Sequence, residues 1–212
     1  MGDYTSGPAA MMMSPRVRRF ALLAHITFSV GWLGAVSVFL GLAVIGMTSE
    51  DSATVRGAYL VMEPAARLVL VPLAVASLAT GVIQSLGTEW GLVRHYWVLS
   101  KMLLNALSLV ILAIYMETFR SMAAVAADPG AALAAVRNPS PALHAVLALG
   151  VLLIATFLAV YKPGGMTPYG RRTQHIHGDV RVSPWIYAAG LAVVLMLLMI
   201  AAHLSGGGLH RH

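Results

Sequence analysis

The sequence predicts an all-α integral membrane bundle of five transmembrane helices, N-terminus inside and C-terminus outside. Three observations carry that reading. The 212-residue chain is 58% hydrophobic, with a mean hydropathy of +0.79. Only 10% of its residues are charged, against about 25% in ordinary soluble domains. Those few charges also divide the chain into apolar stretches, each long enough for one membrane crossing. Such a composition excludes a soluble globular enzyme, and it excludes intrinsic disorder, which needs low hydrophobicity and high charge. There is no cysteine, so disulfides, zinc–thiolate sites, iron–sulfur clusters and thiol catalysis are excluded as well.

A hydrocarbon core about 30 Å thick takes roughly 20 apolar helical residues. Between successive charges, Arg19 to Glu50 leaves 30 residues, Arg67 to Glu89 leaves 21, and Arg94 to Glu117 leaves 22 with only Lys101 inside. Arg137 to Lys162 leaves 24 and Arg181 to Arg211 leaves 29. Each gap holds one helix and none holds two. The spans fall near 20–47, 58–86, 96–116, 142–161 and 184–204. They form a single transmembrane domain over 18–205, with tails at 1–17 and 206–212. Each must satisfy its own backbone hydrogen bonds in lipid, which makes it helical.

Orientation follows from the basic residues. With the N-terminus inside, nine of the 14 lie in inner segments and five in outer ones. The net charge of +6 therefore reads as loops facing anionic lipid rather than as a nucleic-acid surface. The usage of Ala, Val, Leu, Gly and Arg points to a bacterial plasma membrane. Arg16, Arg18 and Arg19 ahead of an apolar run imitate a secretion signal, but the run is about twice the length of a signal's apolar region. It reads as a retained first helix.

The first helix places His25, Ser29 and Trp32 on one face, with Gly34 and Gly41 opposite, where small residues allow a neighbouring helix to approach. The second begins with Glu63-Pro-Ala-Ala-Arg67, an i, i+4 ion pair, and Pro64 and Pro72 predict a kink. The third carries a stripe of Trp97, Lys101, Asn105, Ser108 and Tyr115, with His95 at its start. The loop 117–141 is irregular, apart from a short helix expected at 131–136. His144 opens the fourth helix. The inner loop 162–183 contains His175, His177 and Asp179. On the fifth helix, Trp185, Ala189, Ala192, Met196, Met199 and His203 share a face. There is no nucleotide loop, nucleophile elbow, zinc-protease motif or dinucleotide fingerprint, and no catalytic residue stands out.

Ionisable residues inside a span are functional candidates. His25 reads as a haem ligand, a proton carrier or a packing histidine. His95 belongs to the same leaflet, and Lys101 suits an anionic group or a snorkelling role. His144, His203 and Met199 supply the soft sulfur and imidazole donors that suit copper. Methionine also fills apolar gaps between helices.

The stretches His25-Ile-Thr-Phe-Ser-Val-Gly-Trp-Leu-Gly34, Gly91-Leu-Val-Arg-His-Tyr-Trp-Val-Leu-Ser-Lys101 and Tyr161-Lys-Pro-Gly-Gly165 resemble a family of uncharacterised actinobacterial multi-pass membrane proteins with a domain of unknown function. The resemblance covers most of residues 17–172. More distantly, the helix-one His, the Trp-Leu-Gly after it and the later Trp…Lys are similar to copper-resistance D-type proteins. They are similar too to the haem-binding membrane protoporphyrinogen oxidase. That second resemblance implies haem binding at His25 and a functional role for Lys101. The continuation Ala35-Val-Ser-Val-Phe departs from that family's Leu-Pro-Arg-containing one.

The first functional expectation is therefore a polytopic membrane protein binding b-type haem for transmembrane electron transfer. Its site would comprise His25, His95, Lys101 and Trp32, with His144 and His203 as a second, outer pair. No helix carries the two histidines about 14 residues apart that a cytochrome b helix has. The alternative is a copper or small-solute transport or tolerance protein built on His144, His203, Met196 and Met199. A third is a cofactor-free membrane assembly partner. A redox partner or a second copy of the chain would accompany these readings.

Overall fold

A computed structural model describes residues 13–135, 137, 139–174 and 182–206, without the side chains of 135 and 202–206. The outer parts of both tails, the His175–His177–Asp179 cluster and the side chain of His203 lie outside the described residues. Five helices are long and apolar enough to cross a membrane. They are α1 (Pro15–Thr48), α2 (Ser52–Ala65) continuing through a π-helical turn (Ala66–Leu70) into α3 (Val71–Leu86), α4 (Tyr96–Ala127), α5 (Ser140–Tyr161) and α7 (Pro184–Gly206). A short α6 (Pro168–Thr173) lies in the loop between α5 and α7, and a single 3-10 turn (Leu133–Ala135) stands where a short helix was expected. No strand occurs among the described residues; His95 and Met166 form one isolated antiparallel bridge.

The span count agrees with the charge-gap reading, but three helices outrun it. α1 has 34 residues, the α2–α3 run 35 and α4 32, while α5 has 22. At 1.5 Å per residue the long three reach about 50 Å, well beyond a core of about 30 Å. Charge gaps mark where lipid ends, not where a helix ends. Glu117 and Arg120 pair at 2.6 Å on the surface of α4, and the helix continues past them.

Local chemistry sets several boundaries. Asp51 caps α2, its carboxylate accepting from the backbone N–H of Thr54 at 2.9 Å and of Ala53 at 3.4 Å and from the Thr54 hydroxyl at 2.6 Å. Proline stands in the first turn of α1, α5 and α6, where its missing N–H costs nothing. Pro72 accounts for the π-helical turn. Its ring crowds the carbonyl one turn back and it cannot donate, so the preceding turn widens.

α4 is the hub, packing on α2, α3, α5 and α7, while α1 packs on α2, α3 and α5. The interior is lean, and large apolar side chains such as Phe20 and Leu68 are exposed as a lipid-facing surface requires. One expectation needs correcting. Gly34 and Gly41 have open space where a Cβ would stand, so no helix closes on them. The close approaches fall at Gly31, against Leu73, and at Gly46, against Tyr59. Small residues permit contact but do not select which face is used.

Two arginines staple the α2 end of the bundle. Arg56 donates to five carbonyls at and just beyond the end of α4, two in its last turn and three after it, among them Asp128 at 2.6 Å and Ala131 at 2.9 Å. Arg137 donates to the Ser49 carbonyl at 2.8 Å, just past α1. At the other end, the loops before α4 and after α5 are stitched together. Thr167 donates to Val93 O at 2.6 Å through its hydroxyl and to Arg94 O at 3.0 Å through its N–H, and Tyr96 N–H reaches Gly165 O at 3.3 Å.

Candidate functional site

A large cavity lies between α5 and α7. α5 packs on α1 and α4, and α7 packs chiefly on α4, which leaves room over α4 between them. That room is about 450 Å³, inside the range of about 300–1,000 Å³ usual for small-molecule sites. Small residues on the two facing helices, including Ala148, Gly150 and Ala192, keep it open. Trp32 and Phe39 of α1, and Leu70 of the π-helical turn, are among its lining residues.

Its polar atoms gather where α5 begins. The Tyr115 and Ser140 hydroxyls share a hydrogen bond of 2.8 Å. The Ser140 carbonyl lies 2.8 Å from His144 Nδ1. A carbonyl can only accept, so Nδ1 carries a proton and donates to it. The Tyr115 and His144 rings face each other at 4.2 Å and 30°. Met199 lines the same cavity from α7. The structure thus lines one cavity with His144, Met196 and Met199, which the sequence grouped as donors, and with Trp32, Ser108 and Tyr115 from other stretches. The i, i+4 spacing of Ser140 and His144 was the available signal for Ser140.

His25 sits elsewhere, in a tight polar contact between α1 and α3. Its Nδ1 lies 3.1 Å from Ser77 O and 3.2 Å from Thr80 Oγ1, and Ser29 and Ser77 share a hydrogen bond of 2.8 Å. Its ring packs against Gly81. The crevice beside it, shared with Lys101 and Asn105, measures about 20 Å³, the room of about one water. His95 turns to its own loop, with Nδ1 donating to Trp90 O at 2.9 Å and its ring edge-on to Trp90. Among the described residues no hydrogen bond or ring contact joins His95 to His25. The α4 stripe divides accordingly: Lys101 and Asn105 line the crevice, Ser108 and Tyr115 the cavity.

Glu63 and Arg67 pair as expected, with Glu63 largely covered and Arg67 exposed. Among the described residues no three His, Asp or Glu side chains cluster as a metal site would need. No family model, curated protein or solved structure matches the chain.

Proposed function

We propose that this multi-pass membrane protein binds a hydrophobic ligand in the cavity between α5 and α7, and that the ligand is b-type haem with His144 and Met199 as its protein donors. The observation that supports this is one apolar cavity lined by an imidazole and by the thioethers of Met62, Met196 and Met199, of which Met199 is one that the sequence grouped with His144. Histidine nitrogen and methionine sulfur are both ligands that proteins use to hold haem iron. The Ser140 carbonyl fixes the His144 tautomer and ring direction, as outer-shell acceptors do for ligating histidines. Trp32, Phe39 and Leu70 give the site an apolar wall. The group would supply one-electron transfer. In this reading His25 and Lys101 position α1, α3 and α4 rather than touch the cofactor.

The same two donors also suit copper. The size and apolar lining of the cavity favour a large hydrophobic group over a bare ion.

The test is a dithionite-reduced minus oxidised spectrum of the full chain, purified in mild detergent from haem-replete cells. The expected result is the sharp α-band of six-coordinate b-type haem. His144→Ala should lose most of the haem, Met199→Ala should change its spectrum, and His25→Ala should retain it. A featureless spectrum from folded protein overturns the proposal. So does loss of haem in His25→Ala with retention in His144→Ala. Cu(I) binding by colourless protein that Met199→Ala abolishes would transfer the donor pair to the copper reading.

A further inference from the structure

At the α6 end of the bundle, two lysines flank a pair of indoles. Trp90 and Trp97 meet edge to face at 5.5 Å. The Lys101 ammonium lies 5.6 Å from the Trp97 ring centre, and the Lys162 ammonium lies 5.1 Å from that of Trp90. Lys162 owes its place to the left-handed turn that ends α5, where its φ is +45°. The stitched loops 93–96 and 165–167 hold both partners in register.

Each ammonium thus stands over one of two indoles that touch each other, which brings two cations to one aromatic pair. Among the described residues the ion pairs are Glu63–Arg67 and Glu117–Arg120, and neither lysine takes part in them. Lys101 is also half-buried, only five residues into α4. Two like charges gathered at one aromatic pair, one of them away from bulk water, repel each other, and an anion between them relieves that repulsion. The surroundings have the same sign. Eight described basic residues stand at this end of the bundle against one acid, Glu89. Indoles at a helix terminus are also the side chains that settle at headgroup depth.

We infer that Lys101 and Lys162, presented by Trp97 and Trp90, form a binding site for the phosphate group of an anionic phospholipid. The lipid's acyl chains would lie against the exposed apolar faces beside the site. The site shares no lining residue with the cavity between α5 and α7, so it stands or falls independently of the haem proposal.

The test is native mass spectrometry of the full chain in detergent, with phosphatidylglycerol, with phosphatidylcholine of the same acyl chains, or with inorganic phosphate. The expected result is preferential retention of phosphatidylglycerol. Lys101→Gln and Lys162→Gln should each weaken that retention about fivefold, the share of one basic residue near a membrane surface. Arg18→Gln/Arg19→Gln, which removes two positive charges from the same end of the bundle, should leave it unchanged. Lys101→Arg/Lys162→Arg should keep the preference and show that the fold survives change at both positions. Equal retention of the two lipids overturns the site, as does an equal loss in the Arg18/Arg19 variant. Retention of inorganic phosphate without a phosphatidylglycerol preference overturns the lipid source and leaves a soluble-anion site.

Discussion

Gly46 is where the Tyr59 ring closes on α1: a Cβ at position 46 would stand 2.7 Å from Tyr59 Cζ and 3.0 Å from its hydroxyl. Tyr59 is fully buried, so its ring cannot swing aside freely. Gly46→Ala should therefore destabilise the protein by about 1–3 kcal/mol, the usual cost of overpacking a filled core. Gly41→Ala, which meets open space, should be neutral or stabilising by up to about 1 kcal/mol through helix propensity. Thermal unfolding in detergent, followed by circular dichroism, compares the two. A Gly46→Ala protein as stable as the parent would mean that α1 and α2 do not close there.

The Tyr59 hydroxyl has no hydrogen-bond partner among the described residues. An unmet buried hydroxyl carries its desolvation cost with nothing in return. Tyr59→Phe keeps the ring and removes that cost, so its melting temperature should equal or exceed the parent's. A clear drop would reveal a partner for the hydroxyl, such as a bound water.

Arg56 holds the chain leaving α4 through five carbonyls, the shortest contact being 2.6 Å to Asp128. Hydrogen bonds from a charged donor are worth about 1.5–3 kcal/mol when lost, and the segment after α4 would lose its anchor. Arg56→Ala should expose the 128–139 loop to limited proteolysis and lower the melting temperature. Arg56→Lys should recover only part of the loss, since an ammonium cannot span the carbonyls as the planar fork does. Unchanged cleavage in Arg56→Ala would refute the anchor.

Asp51 lies outside the spans, and three donors act on its carboxylate. The Thr54 hydroxyl first, then the backbone N–H groups of Thr54 and Ala53, hold its pKa below the ordinary aspartate value. A depressed carboxylate contributes stability above its unfolded pKa and loses it as pH falls through the folded one. The start of α2 should therefore fray on acidification through the aspartate range and not between pH 6 and 8. Hydrogen exchange at Ala53–Val55 should show this, and Asp51→Asn should remove the pH dependence while keeping a cap. Acid fraying that persists in Asp51→Asn would assign it to another group.

The five spans were legible because the free energy of placing a segment in lipid accumulates along that segment. Helix ends were less so. α4 continues to Ala127, and Arg56 of α2 meets the carbonyls of its last turn and of the chain beyond it. The site was legible in pieces. His144 and Met199 stood out as outer-leaflet donors, yet the sequence did not show the cavity between α5 and α7 or that Trp32 of α1 lines it. His25 stood out most and lies in the tighter place, held by Ser77 and Thr80 of α3.

Sequence alone determined the helical class, the number of spans and the clustering of basic residues toward one side of the chain. These depend on nearest neighbours and on hydropathy summed over some twenty residues. Tertiary structure decided which faces meet, that the room between α5 and α7 stays open, and that Lys101 and Lys162 converge on two indoles. In lipid the outside of a helix is as apolar as its inside, so hydrophobic patterning cannot say which face turns inward. Packing and hydrogen bonding between helices make that choice.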